Sequence, residues 1–161
     1  MIIILDNIRS CHNVGSIFRT ADAFGCEKIY LGGLTPGPLD KYGRENKKVT
    51  KVSLGAEKSV VWEQIEPTID LLSKLKKDGY KILALEQADN STSLADFSLQ
   101  PQTRYVLVLG NEPKGIDKKV LEQCDVILEI PMKGKKESLN VSVAFGMAVW
   151  HLIFSKKGTI V

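Results

Sequence analysis

Cysteine is scarce, with only Cys11, Cys26 and Cys124 in the chain. An odd number so widely spaced suits neither a disulfide framework nor a CxxC metal site. All three read as small buried thiols, and no metal centre is expected. Long apolar runs are also missing. Residues 137–154, "ESLNVSVAFGMAVWHLIF", come nearest to a membrane span, yet they open on polar groups and fall short of the ~20 apolar residues a span needs. The N-terminal "MIIILDNIRS" has no basic region ahead of its apolar run and meets Asp6 too soon for a signal peptide. These absences point to a cytoplasmic protein with no membrane partner. There is no low-complexity tract and no repeat period. Charge of one sign is lacking as well: 22 Lys and Arg face 19 Asp and Glu, for a net +3. A total that small implies no polyanion partner, so the distribution has to be read instead.

Length and composition suit a single globular domain over residues 1–161, with 43% hydrophobic and 25% charged residues feeding one core. "MIIIL", "KIYLGG", "YKILALE", "RYVLVLG" and "DVILEIP" are aliphatic runs suited to strands buried on both faces. Helical stretches are predicted near 13–25, 67–78, 115–123 and 139–155. Strands alternating with helices define an α/β protein with a mainly parallel sheet flanked by helices. Ligands of such sheets bind at the carboxyl ends of the strands, so the segments following the strands are the places to look for function.

Three such segments stand out. In "CHNVGSIFRTADAFG" Asn13 is an expected N-cap, Val14, Ile17, Phe18, Ala21 and Phe24 form a core-facing stripe, and Gly25 closes the helix. Gly15 and Arg19 share the side the stripe leaves free, which suggests room for a group approaching the guanidinium; a solvated arginine fits equally well. In "LVLGNEPKGI" Gly110 and Gly115 bracket Glu112, but the segment lacks both the Lys-Ser/Thr end of a P-loop and a GxGxxG fingerprint. Alone, it is as readily a turn without a ligand. In "EIPMKGKKESLNVS" Pro131 stops a strand, Ser138 is the expected cap of the last helix, and Asn140 falls in its first turn. Positive charge gathers in "DKYGRENKKVTK" (40–51), around Tyr42, and in "KGKK" (133–136). A basic loop carrying an aromatic can grip phosphates and stack a base, or simply be solvated surface. The last helix is apolar nearly all round, so it needs cover on every side; Ser142 and Gly146 suggest a side where another backbone approaches.

Taken together, "NVGSIFRTADAFG" (13–25), "LVLGNEPKGI" (107–116) and "IPMKGKKESLNVSVA" (130–144) resemble the three motifs of the SpoU/TrmH family of RNA 2′-O-methyltransferases, in the SPOUT superfamily. The resemblance covers nearly the whole chain. It implies an α/β domain with a deep C-terminal trefoil knot, a homodimer, and S-adenosyl-L-methionine held by the second and third motif loops. It also implies a catalytic set of Arg19, Asn13, Glu112, Ser138 and Asn140, with Arg19 activating the ribose hydroxyl, fixing a phosphate or stabilising an alkoxide. Cofactor contacts, largely through backbone, are expected from Leu85, Gly110, Ile130, Met132, Ser138 and Leu139. RNA would be gripped by Arg44, Lys47, Lys48, Lys51 and Lys135. Many members carry an N-terminal RNA-binding domain, whereas this sequence starts directly at the first strand. That favours tRNA over rRNA as substrate, with no DNA expected. The competing expectations are an rRNA substrate, a non-catalytic RNA-binding protein that kept the fold, and an enzyme acting on a small molecule or protein.

Overall fold

Every aliphatic run named above becomes a strand, and the central ones are buried on both faces. The computed structural model describes residues 1–154. Its elements are β1 (Ile2–Asp6), α1 (Cys11–Ala23), β2 (Lys28–Gly32), α2 (Lys47–Ser53), α3 (Ala56–Ser59), β3 (Val61–Ile65), α4 (Thr68–Lys77), β4 (Tyr80–Leu85), β5 (Thr92–Ser93), β6 (Arg104–Leu109), α5 (Lys118–Leu121), β7 (Val126–Glu129) and α6 (Val141–Phe154). The seven strands form one sheet in the order β3-β2-β1-β6-β4-β7-β5. All of its ladders are parallel.

The period of two along each strand divides the core into two layers. From β1, Ile3 and Leu5 join a cluster with Ile17 and Phe18 of α1 and Phe145 and Val149 of α6. Ile2 and Ile4 turn the other way, toward Leu72 and Leu75 of α4. Strand β6 divides likewise, with Leu107 and Leu109 on the first side and Val106 and Val108 on the second. A central strand therefore has no polar face, and its sequence reads as a continuous apolar run.

Several local expectations change. Helix α1 begins at Cys11 and is capped by Ser10, whose hydroxyl accepts the Asn13 backbone N–H at 3.2 Å; Asn13 is not the cap. The last helix begins at Val141, and its cap is Asn140, whose Oδ1 accepts from Ser142 N at 2.9 Å; Ser138 is not the cap. Residue 155 of the expected helix lies outside the described residues. The helix expected at 115–123 is reduced to the single turn of α5, capped by Asp117; Gly115, at φ 70°, belongs to the turn that precedes it. The basic stretch 40–51 is not all loop: Asn46 caps α2, which packs across α1. Strands β3 and β5 and helix α3 were not predicted.

Gly15 has a structural task that the sequence did not disclose. A Cβ there would lie 2.7 Å from the Val49 carbonyl oxygen and 2.7 Å from Val52 Cβ, so the glycine admits α2 and leaves no room for a ligand under Arg19. At Gly146 a Cβ would meet only Thr20 Cγ2, at 3.9 Å, an ordinary contact, so packing against α1 does not require a glycine there.

One face of α6 is buried through Phe145, Ala148, Val149 and Leu152. The opposite face is open: Val143 is 51% exposed, Met147 46%, Trp150 55% and Phe154 57%. Of the thiols, Cys26 is buried while Cys11 and Cys124 are only partly so. Burial pushes Cys26 up to about 11, and burial and then the Asp125 charge push Cys124 up to about 12. Both stay protonated and unreactive at neutral pH. Among the described residues no helix is long and apolar enough to cross a membrane.

The α1–α2 contact makes a direct prediction. Gly15→Ala should lower stability by about 1–3 kcal/mol, the scale of overpacking against groups that cannot yield. Urea unfolding measures it, and an unchanged midpoint would mean that α2 moves aside freely.

Candidate active site

The loops after β1, β4, β6 and β7 meet at the carboxyl edge of the sheet, where such folds bind ligands. Their backbones are tied before any functional side chain is considered. Asn7, at φ 58°, ends β1, and its carbonyl accepts from Asn111 Nδ2 at 2.8 Å, which pins the loop after β6 to the loop after β1. The 110–116 loop folds back on itself through Gly115 N donating to Asn111 O at 2.8 Å. Gly110 makes this possible, since a Cβ there would sit 2.4 Å from Ile116 N. Gly115 leaves room for Glu86, whose Oε2 accepts the Ile116 N–H at 2.8 Å.

Glu112 then projects from the loop toward α1. Its carboxylate accepts from Arg9 N at 3.2 Å, Ser10 N at 3.3 Å and Asn13 Nδ2 at 2.9 Å. Asn13 is buried, and its Oδ1 accepts from Asn140 Nδ2 at 3.1 Å. Asn140 Oδ1 in turn receives Ser142 N and the Ser142 hydroxyl, the latter at 2.7 Å. One chain of hydrogen bonds thus joins the three segments singled out in the sequence. Burial alone would push the Glu112 carboxyl up, but Asn13, its own backbone N–H, Arg9 and Ser10 outweigh it and hold the group below the usual carboxylate range.

Between the 110–116 loop and the 130–140 loop lies a cleft of about 690 Å³. All six residues expected to hold the cofactor line it: Leu85, Gly110, Ile130, Met132, Ser138 and Leu139. Glu112 and Asn140 line it too. Arg19 does not; it is exposed on the outer side of α1, on a stripe with His12 and Ala23. Lys47, Lys48, Lys51 and Lys135 are exposed, while Arg44 is paired with Asp40 at 2.7 Å. Two wall residues escaped the sequence reading. Glu86 fastens the 110–116 loop, and Gln87 fastens the other by donating from Nε2 to the Glu137 carbonyl at 2.8 Å. Their only sequence signal is position, directly after the strand ending at Leu85.

The cleft can accept a cationic, partly apolar molecule. Among the described residues, Glu86, Glu112, Glu129 and Glu137 line it against one cation, Lys114, while Leu109, Ile130 and Leu139 provide apolar wall. Fold and site together define a parallel α/β domain with a cleft at its strand ends, between one loop shaped by Gly110 and Gly115 and a second running from 130 to 140. The chain belongs to the SpoU rRNA methylase family, whose model matches residues 1–150. It is 34% identical over 149 residues to the 23S rRNA (guanosine-2′-O-)-methyltransferase RlmB of Neisseria meningitidis serogroup B, covering 92% of this chain and 56% of that protein. An AdoMet-bound rRNA methyltransferase from Sinorhizobium meliloti superposes with a TM-score of 0.83 at 25% identity, over 93% of this chain and 54% of that one. A structure concerned with the 2-OH methylation of C/U34 on tRNA gives 0.77 at 26% identity, over 92% of this chain and 91% of that one. The chain spans a little over half the length of the curated relatives it matches.

Glu112→Gln tests the hydrogen-bond chain through pH. A carboxyl whose folded pKa lies below its unfolded value, about 4.3 for Glu, adds stability that is present above that value and lost as pH falls through the folded pKa. The stability difference between wild type and Glu112→Gln should be constant above about pH 5 and shrink below about pH 4. Chemical denaturation across that range measures it; a flat difference would mean that the carboxylate is not held as described.

Proposed function

We propose that the chain transfers a methyl group from S-adenosyl-L-methionine to a ribose 2′-hydroxyl of RNA, with tRNA as the substrate. The observation that carries this reading is the chain of hydrogen bonds from Glu112 through Asn13 to Asn140, which unites the three family motifs at the rim of one cleft. The cofactor would be held by the 110–116 and 130–140 loops, its positive charge matched by the acidic wall and its apolar portions by Ile130, Met132 and Leu139. Bound there, S-adenosyl-L-methionine supplies an electrophilic methyl on a sulfonium. The protein's part is to align a ribose hydroxyl and help its proton leave, since that hydroxyl is a poor nucleophile at neutral pH. Asn13, Glu112 and Asn140 fix the rim, and Ser138 faces the cleft from the third loop. Arg19 acts on the RNA, holding the neighbouring phosphate or the developing alkoxide, because a guanidinium, with a pKa above about 12, already carries its proton at neutral pH and cannot accept the hydroxyl's.

Arg19 lies outside the cleft of its own chain, which supports a shared site. In the homodimer proposed here the open face of α6 and the outer stripe of α1 form a two-fold interface, and Arg19 is presented to the partner's cleft. We also read the C-terminal third as a deep trefoil knot. Support comes from β4 lying between β6 and β7, and from the Gln87–Glu137 bond that holds the segment after β4 against the 130–140 loop. The tRNA reading is supported by the structure concerned with C/U34 of tRNA, since the region seen here corresponds to nearly all of that chain. The second reading, an rRNA substrate, is favoured by the 34% identity to RlmB. The reading places the protein in the cytoplasm.

Labelled S-adenosyl-L-methionine incubated with total tRNA and with rRNA separates the two substrates. Arg19→Ala should lower transfer about 100-fold or more while leaving cofactor affinity unchanged, and Arg19→Lys should not restore it. Near-normal single-turnover transfer by the alanine variant would remove Arg19 from the reaction. The interface has its own test in light scattering. The wild type should have the mass of two chains and Trp150→Lys the mass of one, with activity falling alongside; a fully active wild-type monomer would overturn the shared site.

A further inference from the structure

A second cleft, of about 530 Å³, opens at the carboxyl ends of β2 and β3, and nothing in the reading above uses it. It lies within the ~300–1,000 Å³ typical of small-ligand sites. Its lining includes Pro36, Leu39, Asn46, Gln64, Ile65 and Glu66. Leu39 is 44% exposed, an apolar side chain left at the mouth of the cleft.

The polar groups of the lining are partly committed. Asn46 donates from Nδ2 to the Gly37 carbonyl at 3.1 Å, and its Oδ1 accepts from Lys48 N at 3.3 Å. Gln64 donates from Nε2 to the Thr35 carbonyl at 3.2 Å, which leaves its Oε1 as an acceptor. The Asp40 carboxylate is consumed by Arg44, through Nε at 2.8 Å, and by Tyr42 N at 2.8 Å. The same contacts hold Tyr42, which follows Asp40 and Lys41 of the lining and is 68% exposed, with Lys41 Nζ 5.0 Å and Arg44 Cζ 4.9 Å from its ring centroid. Lys47 and Lys48 follow in the same stretch.

We infer that this cleft receives an unpaired nucleobase of the RNA substrate that flanks the methylated nucleotide; the inference rests on the RNA-methylating function proposed above. An exposed tyrosine braced by two cations, beside an apolar mouth, is a stacking platform. The acceptors of Gln64 and Glu66 suit a base that presents an amino group, such as cytosine. The rim cations suit the phosphates on either side. Position agrees. Both clefts lie on the carboxyl edge of one sheet, and in the order β3-β2-β1-β6-β4-β7 the first is centred on β4 and the second between β3 and β2, three and a half strand spacings apart, about 17 Å. A short run of unpaired nucleotides can cross that distance over the end of β1. There, Leu34 is 78% exposed, its N–H held by Asn7 Oδ1 at 3.1 Å, so an apolar side chain stands between the clefts where a base can cover it.

The test compares a 12-nucleotide oligocytidylate with an abasic ribose-phosphate strand of equal length and charge, bound to the full chain. The wild type should prefer the oligocytidylate about tenfold, the scale of one stacked base. Leu39→Ala/Tyr42→Ala should bring the preference within about twofold, while the slope of log affinity against log salt is retained because the cations remain. Both substituted side chains are exposed, so folding is not at stake. A wild type with no preference, or a double variant that keeps it while the enzyme still methylates RNA, would overturn the cleft assignment alone. A protein that binds neither strand and transfers no methyl to RNA would overturn this inference together with the function on which it rests.

Discussion

The bond between the Glu112 carboxylate and the Asn13 amide is the contact on which the site depends. It spans 99 residues of sequence and ties the loop after β6 to the first turn of α1. Asn13 is buried, so its amide must be satisfied inside the protein. Glu112 takes its N–H and Asn140 donates to its oxygen, which settles both ends of the group at once. Because Asn140 also caps α6, the position of the last helix is set by the same two bonds. A network of this kind, fully satisfied, specifies one arrangement of three loops where apolar contacts alone would tolerate several.

The cleft wall depends on a different constraint, the absence of side chains at Gly110 and Gly115. The 110–116 loop closes so tightly that Ile116 N occupies the place of a Gly110 Cβ, and the Glu86 carboxylate occupies that of Gly115. A backbone held this close to strand β4 keeps its shape without a bound ligand. Glu86 and Gln87 do for the two walls what Glu112 does for the rim, and all three act on backbone N–H or carbonyl groups of neighbouring loops.

The legible parts of the sequence were those fixed by local pattern. Strands such as β1 and β6 are apolar throughout because both faces are covered, so composition announced them. Edge strand β3, "VWEQI", has three exposed residues and resembles loop by the same criterion. Helix α2 buries only Val49 and Ser53 in seven residues, too little for a helical period to show. At both misassigned caps the chain offers two suitable residues, Ser10 and Asn13, then Ser138 and Asn140. Propensity cannot choose within either pair. Long-range partners chose: Asn13 was drawn to Glu112, leaving the cap to Ser10, and Asn140 both caps α6 and reaches Asn13. Six positions of the cleft wall were legible because they sit at strand ends and in motifs, whereas Glu86 and Gln87 act through partners 30 and 50 residues away.

Two irregularities of the single chain bear on the proposed dimer. An apolar face on α6, with Met147, Trp150 and Phe154 about half exposed, costs free energy in water unless something covers it. A motif arginine that stands outside its own cleft has no chemistry to perform alone. Gly15 cannot relieve either problem, since it is spent on packing α2 against α1 within the chain. The two-fold pairing proposed above, through α6 and the outer stripe of α1, would cover the first and relocate the second, because the helix that carries Arg19 packs directly on α6. On this reading the hydrophobic surface and the displaced arginine are parts of one arrangement, in which each chain supplies the cofactor wall of one site and the arginine of the other.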